Sequence, residues 1–457
     1  MSGADATFIY TETPRTPFEI GSCLVLDTAG RPDPGDRLDR LRARLLERIH
    51  FAPQMRQRVQ RVPLDLHHPV WVDDENFAIE RHVFGHQVEK PGSWEEVNAL
   101  VDDLMSTPLE RDRPLWELHL IEGLSDGRCV LFVKTHHAAV DGLSGLQVLT
   151  ALVDLEQNPE PTPPPDEEWK PAPSPGLAGL LVGAGVDLAK NPFAVPKAVG
   201  KLAGDLLSPR TSTTEVLGAS MAPPSPFNKR LTNQRRLRFF SLDLEEVLAV
   251  ARQSGVKLND VALCLVGGGL RTYLERHARP TDPSLVSYLP ITQRTGDETT
   301  GNHTTVVSAR IGTDEADPLA RLAAIAEQTS AAKERAGAGN PPLILDVSAV
   351  TGPAVGALVE RLAVSMRVTE MLRLAGNLVV SNVASIPVPV WSLGAPVVEA
   401  YPIGPVSDGV GLNFTLLSYE GQLSFSMLTE PHVVPDPDDL VDDCIRAWVE
   451  LRDTVLD

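Results

Sequence analysis

Apolar positions recur along this chain with two periods, and the switch between them marks its elements. Residues 22–28 (SCLVLDT) read as a strand. Residues 36–49 place Leu38, Leu41, Leu45 and Ile49 on one face, which predicts an amphipathic helix. Ser93, with Glu96 three residues later, has the spacing of a capping box, and Val97, Leu100, Val101 and Leu104 supply the apolar face behind it. A strand through LHLIEG and another over 129–135 flank Gly123-Leu124-Ser125-Asp126-Gly127, which reads as a hairpin turn pairing 117–122 with 129–135. Leu143, Leu146, Val148, Leu149, Leu152 and Val153 then return to helical spacing. Residues 5–22 read as a short β-like piece broken by Pro14 and Pro17.

The second half repeats this alternation. A strand led by Arg235-Arg236 precedes a helix from Leu244 to Ala251. A long helix follows to about His277, with Asn259 as its expected N-cap. Gly267-Gly268-Gly269 lies inside that helix. No Lys-Ser/Thr follows it, so it reads as a site of close packing rather than a phosphate loop. Strands are expected at 285–290 and 304–311, and helices at 318–336 and 353–373. A β-rich region then runs to a hairpin turn at Tyr419-Glu420-Gly421-Gln422. The last helix, 438–456, carries Leu440, Cys444, Trp448, Leu451 and Val455 on one face.

Between the halves, residues 156–175 are rich in proline and read as a linker. Residues 177–208 are apolar and helical in pattern, interrupted by Asp187, Pro192 and Pro196. They suit either a membrane or lipid surface or a pair of helices covering a core or a dimer face. The expected organisation is an N-terminal domain over 1–155, a linker and crossover over 156–225, and a C-terminal domain over 226–457.

The 457 residues suffice for two sizeable cores. A net charge of −20 argues against nucleic acid as a partner and against attraction to anionic lipid by charge alone. The four cysteines, Cys23, Cys129, Cys264 and Cys444, show no CxxC spacing, which suits a reducing cytosol rather than a disulfide framework. The N-terminus lacks the basic and apolar regions of a signal peptide, and no apolar run reaches transmembrane length. These features predict a cytoplasmic protein, with peripheral attachment to a membrane or lipid body left open.

The candidate chemistry is His136-His137 at the mouth of the strand 129–135, just before a helix. An imidazole titrates near neutrality, so it can take a proton from a hydroxyl and return it. Adjacent residues at a strand end point opposite ways, so one ring can face a cleft while the other is buried as support. Asp141, a few residues on, is placed to fix local geometry, and Gly142 leaves room for substrate. A metal site is disfavoured because no third or fourth ligand lies close by. His67-His68 is a second pair, but it runs into Pro69-Val70-Trp71-Val72 without an Asp-Gly, and it reads as structural. The G-x-S-x-G match at 123–127 is rejected as a nucleophile elbow, because strand follows strand where a helix is required.

His-His-x-x-x-Asp-Gly is the signature of the chloramphenicol acetyltransferase-like superfamily. Within it, the chain resembles the bacterial wax ester synthase/diacylglycerol acyltransferase family over nearly its full length. Asp5 to Pro17 with Gly21 resembles the family's opening, Arg113-Pro114-Leu115-Trp116-Glu117 its PLW segment, and Leu258-Asn259-Asp260-Val261 its Asn-Asp helix start. Arg294 with Gly301-Asn302, Ser381-Asn382-Val383 with Pro387, and Gly411-Leu412-Asn413 with Ser418-Tyr419 resemble later segments. Ser381 to Pro387 departs from the Asn-Val-Pro-Gly-Pro of many relatives, and Leu289-Pro290-Ile291-Thr292 from the usual Pro-Val-Ser.

The resemblance implies an α/β fold of two similar chloramphenicol acetyltransferase-like domains, each a mixed β-sheet with flanking helices. Their interface would hold an active-site tunnel. It implies acyl-CoA as co-substrate, no cofactor and no metal, and a diacylglycerol or long-chain alcohol as acceptor. His137 would be the general base, His136 its support, Asp141 an orienting carboxylate, and Gly142 a residue giving room. Asn259, Asp260, Asn302 and Ser381 are candidates for substrate binding or an oxyanion donor. The competing readings are a carrier-protein-bound acyl donor, a phospholipid-type acyltransferase using His136 and Asp141, and a non-catalytic lipid-binding homologue.

Overall fold

Ser2 starts the first element, and it is not a strand. In the computed structural model, which describes residues 1–30, 35–63, 67–139, 148, 150–165, 167–176, 179–180, 222–292, 304–337, 376–384 and 386–457, the chain opens with helix α1 (Gly3–Thr11). Ser2 Oγ accepts from the Asp5 N–H at 3.1 Å. Ile9 is buried with Leu109, Leu115 and Ala138. The run Thr7-Phe8-Ile9-Tyr10 favours strand by propensity, but a satisfied cap and a packed face outweigh that preference.

The elements then follow as β1 (Glu19–Leu26), α2 (Arg37–Arg48), β2 (Gln57–Gln60), β3 (Val70–Asp73), β4 (Val83–Gln87), α3 (Trp94–Ser106), β5 (Trp116–Glu122) and β6 (Cys129–His136). Next come β7 (Arg236–Asp243), α4 (Leu244–Ser254), α5 (Leu258–Arg276), β8 (Val286–Thr292), β9 (Thr304–Arg310) and α6 (Pro318–Gly337). The chain closes with β10 (Leu378–Asn382), β11 (Trp391–Ser392), β12 (Ala395–Ile403), β13 (Leu412–Tyr419), β14 (Gln422–Thr429) and α7 (Pro437–Leu456). Of the helix expected from Leu143, the described residues 148 and 150–152 are helical. The expected helix over 353–373 lies outside the described residues, as does all of 177–208 except 179–180.

The strands form two six-stranded mixed sheets. The first has the order β11-β12-β1-β6-β5-β4 and the second β7-β14-β13-β10-β8-β9; β2 and β3 pair separately. The expected hairpin is present: β5 and β6 pair antiparallel from Trp116↔Thr135 to Ile121↔Val130. The Gly127 N–H closes the turn on Leu124 O at 3.1 Å, so Ser125 sits between two strands and not on an elbow. The second hairpin turns at Glu420 and Gly421, both with positive φ (44° and 75°), as a two-residue turn of the twist-matched type requires.

Strands β11 and β12 belong by sequence to the expected C-terminal domain, yet they complete the first sheet. β12 pairs with β1 from Gly21↔Ile403 to Leu26↔Val397. The sheets also share one apolar core, in which Cys23, Val25 and Phe132 of the first join Leu237, Phe240, Phe414 and Phe425 of the second. Helix α3 lies between them, its Asp102 Oδ1 accepting from the Leu237 N–H of β7 at 2.6 Å. Its predicted capping box at Ser93 and Glu96 is formed.

The glycines of α5 explain how closely the second unit packs. A Cβ on Gly267 would lie 1.8 Å from Ile311 O, and one on Gly269 would lie 2.5 Å from Cys444 Sγ of α7. Among the described residues, no helix is long and apolar enough to cross a membrane.

Candidate active site

β6 delivers His136 and His137. Along its last residues, Phe132, Lys134 and His136 share one face by alternation. His136 is fully buried at the strand end, and His137 begins a short 3₁₀ turn, His137–Ala139, with its ring half-buried. Two backbone bonds fix the exit from the strand. The His136 N–H donates to Leu115 O at 3.0 Å, and the His137 N–H donates to Phe18 O at 2.8 Å. The Pro-Leu-Trp segment therefore braces the histidines directly. Its Trp116 is anchored in turn by donation from Nε1 to Met55 O at 2.8 Å and by stacking on His82 at 4.5 Å. Gly21 is required on the other side, because a Cβ there would lie 2.3 Å from Val133 O.

The His136 ring is locked at both nitrogens. Nδ1 accepts from the Ala138 N–H at 3.1 Å, so the proton resides on Nε2, which faces Glu12 Oε2 at 3.1 Å. Glu12 also pairs with the Arg111 guanidinium. Burial, and secondarily the Arg111 charge, push the His136 imidazole down to about 3, so the ring is neutral at physiological pH.

His137 has a different environment. Its ring stacks on Phe8 of α1, with centroids 4.1 Å apart and planes at 20°, and Phe8 meets Phe18 edge-on at 5.4 Å. Among the described residues, its buried Nδ1 has no hydrogen-bond partner. Burial dominates and pushes the imidazole down to about 4. The His137 imidazole is thus neutral at physiological pH, held by carbon on one face. On the other side of β6, Met55, Trp116, Leu118, Val133, Ala139 and Leu152 line an apolar cavity that reaches the turn carrying His137.

A buried ion pair underlies this arrangement. Lys134 Nζ lies 3.0 Å from Glu19 Oε2 and donates to Leu104 O at 2.8 Å and to Thr107 O, at the C-terminal end of α3. Glu19 Oε1 accepts from the Leu109 N–H at 2.6 Å, and Glu19 is the register partner of His136 in the sheet.

Asp141, Gly142 and Asn302 lie outside the described residues, as do Arg294 and Gly301. Asn259 is not the N-cap of α5: Lys257 holds that position, and Asn259 sits in the first turn. The cap forms there because Asp260, three residues on, reaches back, its Oδ2 accepting from the Lys257 N–H at 3.0 Å. Asp260 Oδ1 accepts from Thr329 Oγ1 of α6 at 2.7 Å. Both Asp260 oxygens are therefore engaged in holding helices together. Asn259 Oδ1 accepts from Asn382 Nδ2 at 2.6 Å, next to half-buried Ser381 at the end of β10. Among the described residues, no hydrogen bond joins this Asn259–Asn382 pair to His137. His68, which the sequence reads as structural, is buried beside Tyr10 with its Nδ1 3.5 Å from the hydroxyl.

Glu12, Phe8, Phe18 and Arg111 are the site residues that the sequence pattern did not single out. A charged residue inside an apolar run was a usable signal for Lys134 and Glu19. Nothing comparable marks Glu12, which follows a helix read as a strand.

The wax ester synthase/diacylglycerol acyltransferase catalytic domain model matches residues 1–262, and the C-terminal domain model of the same family matches residues 300–452. A Mycobacterium tuberculosis protein whose name gives it provisionally as a diacylglycerol O-acyltransferase is 33% identical over 464 residues, covering 99% of this chain and 89% of that protein. A second from the same organism, similarly named, is 31% identical, covering 99% and 95%. Among solved structures, the wax ester synthase/diacylglycerol acyltransferase of Marinobacter aquaeolei VT8 superposes with a TM-score of 0.71 at 24% identity, covering 99% of this chain and 98% of that one. The first condensation domain of the CDA synthetase gives 0.53 at 18% identity, covering 99% and 95%.

Proposed function

The chain belongs to the wax ester synthase/diacylglycerol acyltransferase family, and from that premise we propose that it transfers a long-chain acyl group from acyl-CoA to the hydroxyl of diacylglycerol or a fatty alcohol. The observation that carries the reading is the state of His137. It is a neutral, half-buried imidazole at the end of β6, held by Phe18 O and stacked on Phe8, beside a second histidine locked in one tautomer.

In this mechanism the free nitrogen of His137 takes the proton of the acceptor hydroxyl. The oxygen attacks the thioester carbonyl carbon, the C–S bond breaks, and the imidazolium returns its proton to the CoA thiolate. No acyl-enzyme forms, because holding both substrates beside one base supplies the proximity. Packing in a dry environment keeps the ring deprotonated and ready. Asp141 and Gly142 complete the motif as orienting carboxylate and clearance. The oxyanion donor is sought among Asn259, Asn302 and Ser381. Asp260 is a less suitable candidate, because its carboxylate is already satisfied at both oxygens.

The test is thiol release from palmitoyl-CoA with hexadecanol, with a diacylglycerol and with no acceptor, for wild type and His137→Ala. Acceptor-dependent release that falls about a hundredfold or more in the variant is the expected result. Undiminished release in the variant would sink the base assignment. Wild type without acceptor-dependent release would shift the reading to a carrier-protein donor or a non-catalytic homologue.

A further inference from the structure

We propose that Glu12 is a positioning residue for the reaction, acting through His136 on the turn that carries His137. The inference rests on the reading of His137 as the base.

Glu12 sits one residue beyond the end of α1, 124 positions before His136 in sequence. Its Oε2 is the only described partner of the His136 Nε2–H, at 3.1 Å. That contact and the Ala138 N–H together hold the proton on Nε2. With Nε2 protonated, Nδ1 is free to accept from the Ala138 N–H at 3.1 Å, and Ala138 is the middle residue of the 3₁₀ turn His137–Ala139. A flip of the His136 tautomer would put N–H against N–H and open the turn by one hydrogen bond. The His137 ring would then lose its register with Phe8, which is carried on the same short helix that ends at Glu12. One carboxylate thus orients both histidines, the first by hydrogen bond and the second through the turn and the helix.

Arg111 completes the unit. The Arg111 guanidinium, with its side chain 38% exposed, pairs with the same Glu12 oxygen that faces the fully buried imidazole and balances its charge. Arg111 also opposes protonation of His136, since its charge lowers that imidazole further after burial has done most of the work. Both effects favour a single protonation state of His136.

A carboxylate that merely anchored α1 would predict something else: loss of stability with unchanged turnover per folded molecule. Three variants separate the two: Glu12→Ala removes acceptor and charge, Glu12→Gln keeps an acceptor oxygen without the charge, and Arg111→Gln keeps the Glu12–His136 contact. For each, kcat and KM are measured per folded molecule, alongside the ring nitrogen shifts of [15N]histidine-labelled protein. The expected result is a fall in kcat of about tenfold to a hundredfold for Glu12→Ala, in the range that loss of one hydrogen bond to a charged group gives. KM should stay near wild type. Glu12→Gln and Arg111→Gln should be intermediate, and the Nε2–H pattern of His136 should be mixed in Glu12→Ala. Wild-type kcat in folded Glu12→Ala overturns the proposal, as does an unchanged His136 tautomer with kcat lost. If Glu12→Ala does not fold, Glu12→Gln decides by the same two readouts. Activity retained in His137→Ala would instead remove the base reading on which this one stands, so the two failures are distinct.

Discussion

Lys134→Met tests whether the ion pair beneath the histidines holds a buried charge. The Lys134 ammonium lies 3.0 Å from Glu19 Oε2 and donates to Leu104 O and Thr107 O, and the two ion-pair side chains are each about 1% exposed. The methionine fills similar volume but leaves Glu19 charged and two carbonyls without their donor. Breaking one side of a buried pair costs about 3–5 kcal/mol, because the surviving charge is uncompensated. The double variant Lys134→Met/Glu19→Gln removes that charge. Its Gln oxygen still accepts from the Leu109 N–H, so the remaining cost is about 1–3 kcal/mol for the unmade hydrogen bonds. The single variant should therefore be less stable than the double by about 2 kcal/mol, read from urea midpoints at a common m-value. The pH dependence has a definite sign. Burial raises the Glu19 carboxyl above its ordinary value even with Lys134 present. The folded protein therefore binds a proton more readily than the unfolded chain, and stability falls as pH rises from the unfolded carboxyl value toward the raised folded one. Removing Lys134 raises the folded value further, so Lys134→Met should regain stability on mild acidification while the double variant does not. Equal urea midpoints for the two variants, with no difference in their pH dependence, would refute the reasoning.

Two further outcomes follow from geometry already described. Gly267→Ala in α5 would ordinarily gain about 1 kcal/mol of helix propensity. With its Cβ 1.8 Å from Ile311 O it should instead destabilise by about 1–3 kcal/mol, and a thermal unfolding midpoint equal to or above wild type would contradict this. For catalysis, burial pushes the His137 imidazole down to about 4, and a base works only above its own pKa, so the acid limb of kcat/KM should lie near pH 4. A limb near about 6.5, the value of a solvated imidazole, would show that the ring is wetter in the working enzyme than in this fold.

Much of the fold was legible because its pattern is local. The α2 and α3 faces, the Ser93 cap, the β5–β6 hairpin and the last helix each declare themselves within about a dozen residues. The burial of Leu41, Leu45, Val97, Val101, Leu440 and Leu451 follows the predicted stripes. The exceptions have physical causes. Helix α1 is short and rich in strand-favouring residues, and its stability comes from the Ser2 cap and from Ile9 packing on Leu109 and Leu115. Asn259 has a cap-former's side chain, but the Lys257 N–H donating to the Asp260 carboxylate sets the helix start two residues earlier. The assignment of β12, and of β11 paired to it, to the first sheet depends on register with β1, whose partners from Gly21↔Ile403 to Leu26↔Val397 are far apart in sequence, and no local period encodes that.

The candidate site divides along the same line. The two histidines and their place at a strand mouth were legible, because a strand-to-helix switch with paired imidazoles is a local pattern. The state of the rings was not. It depends on a carboxylate, a guanidinium and two phenyl rings drawn from segments that only the folded sheet brings to β6. A neutral buried base needs apolar contact on its face and a support that cannot change protonation state. A short motif can supply the imidazoles but not the dry packing around them. That packing comes from the chain's first 21 residues: α1 supplies Phe8, Glu12 follows it, the lead-in to β1 supplies Phe18, and Gly21 lets β1 close on β6. In this fold the N-terminal segment therefore packs the candidate site, and substitutions there should be read for their effect on His136 and His137 before any effect on the surface.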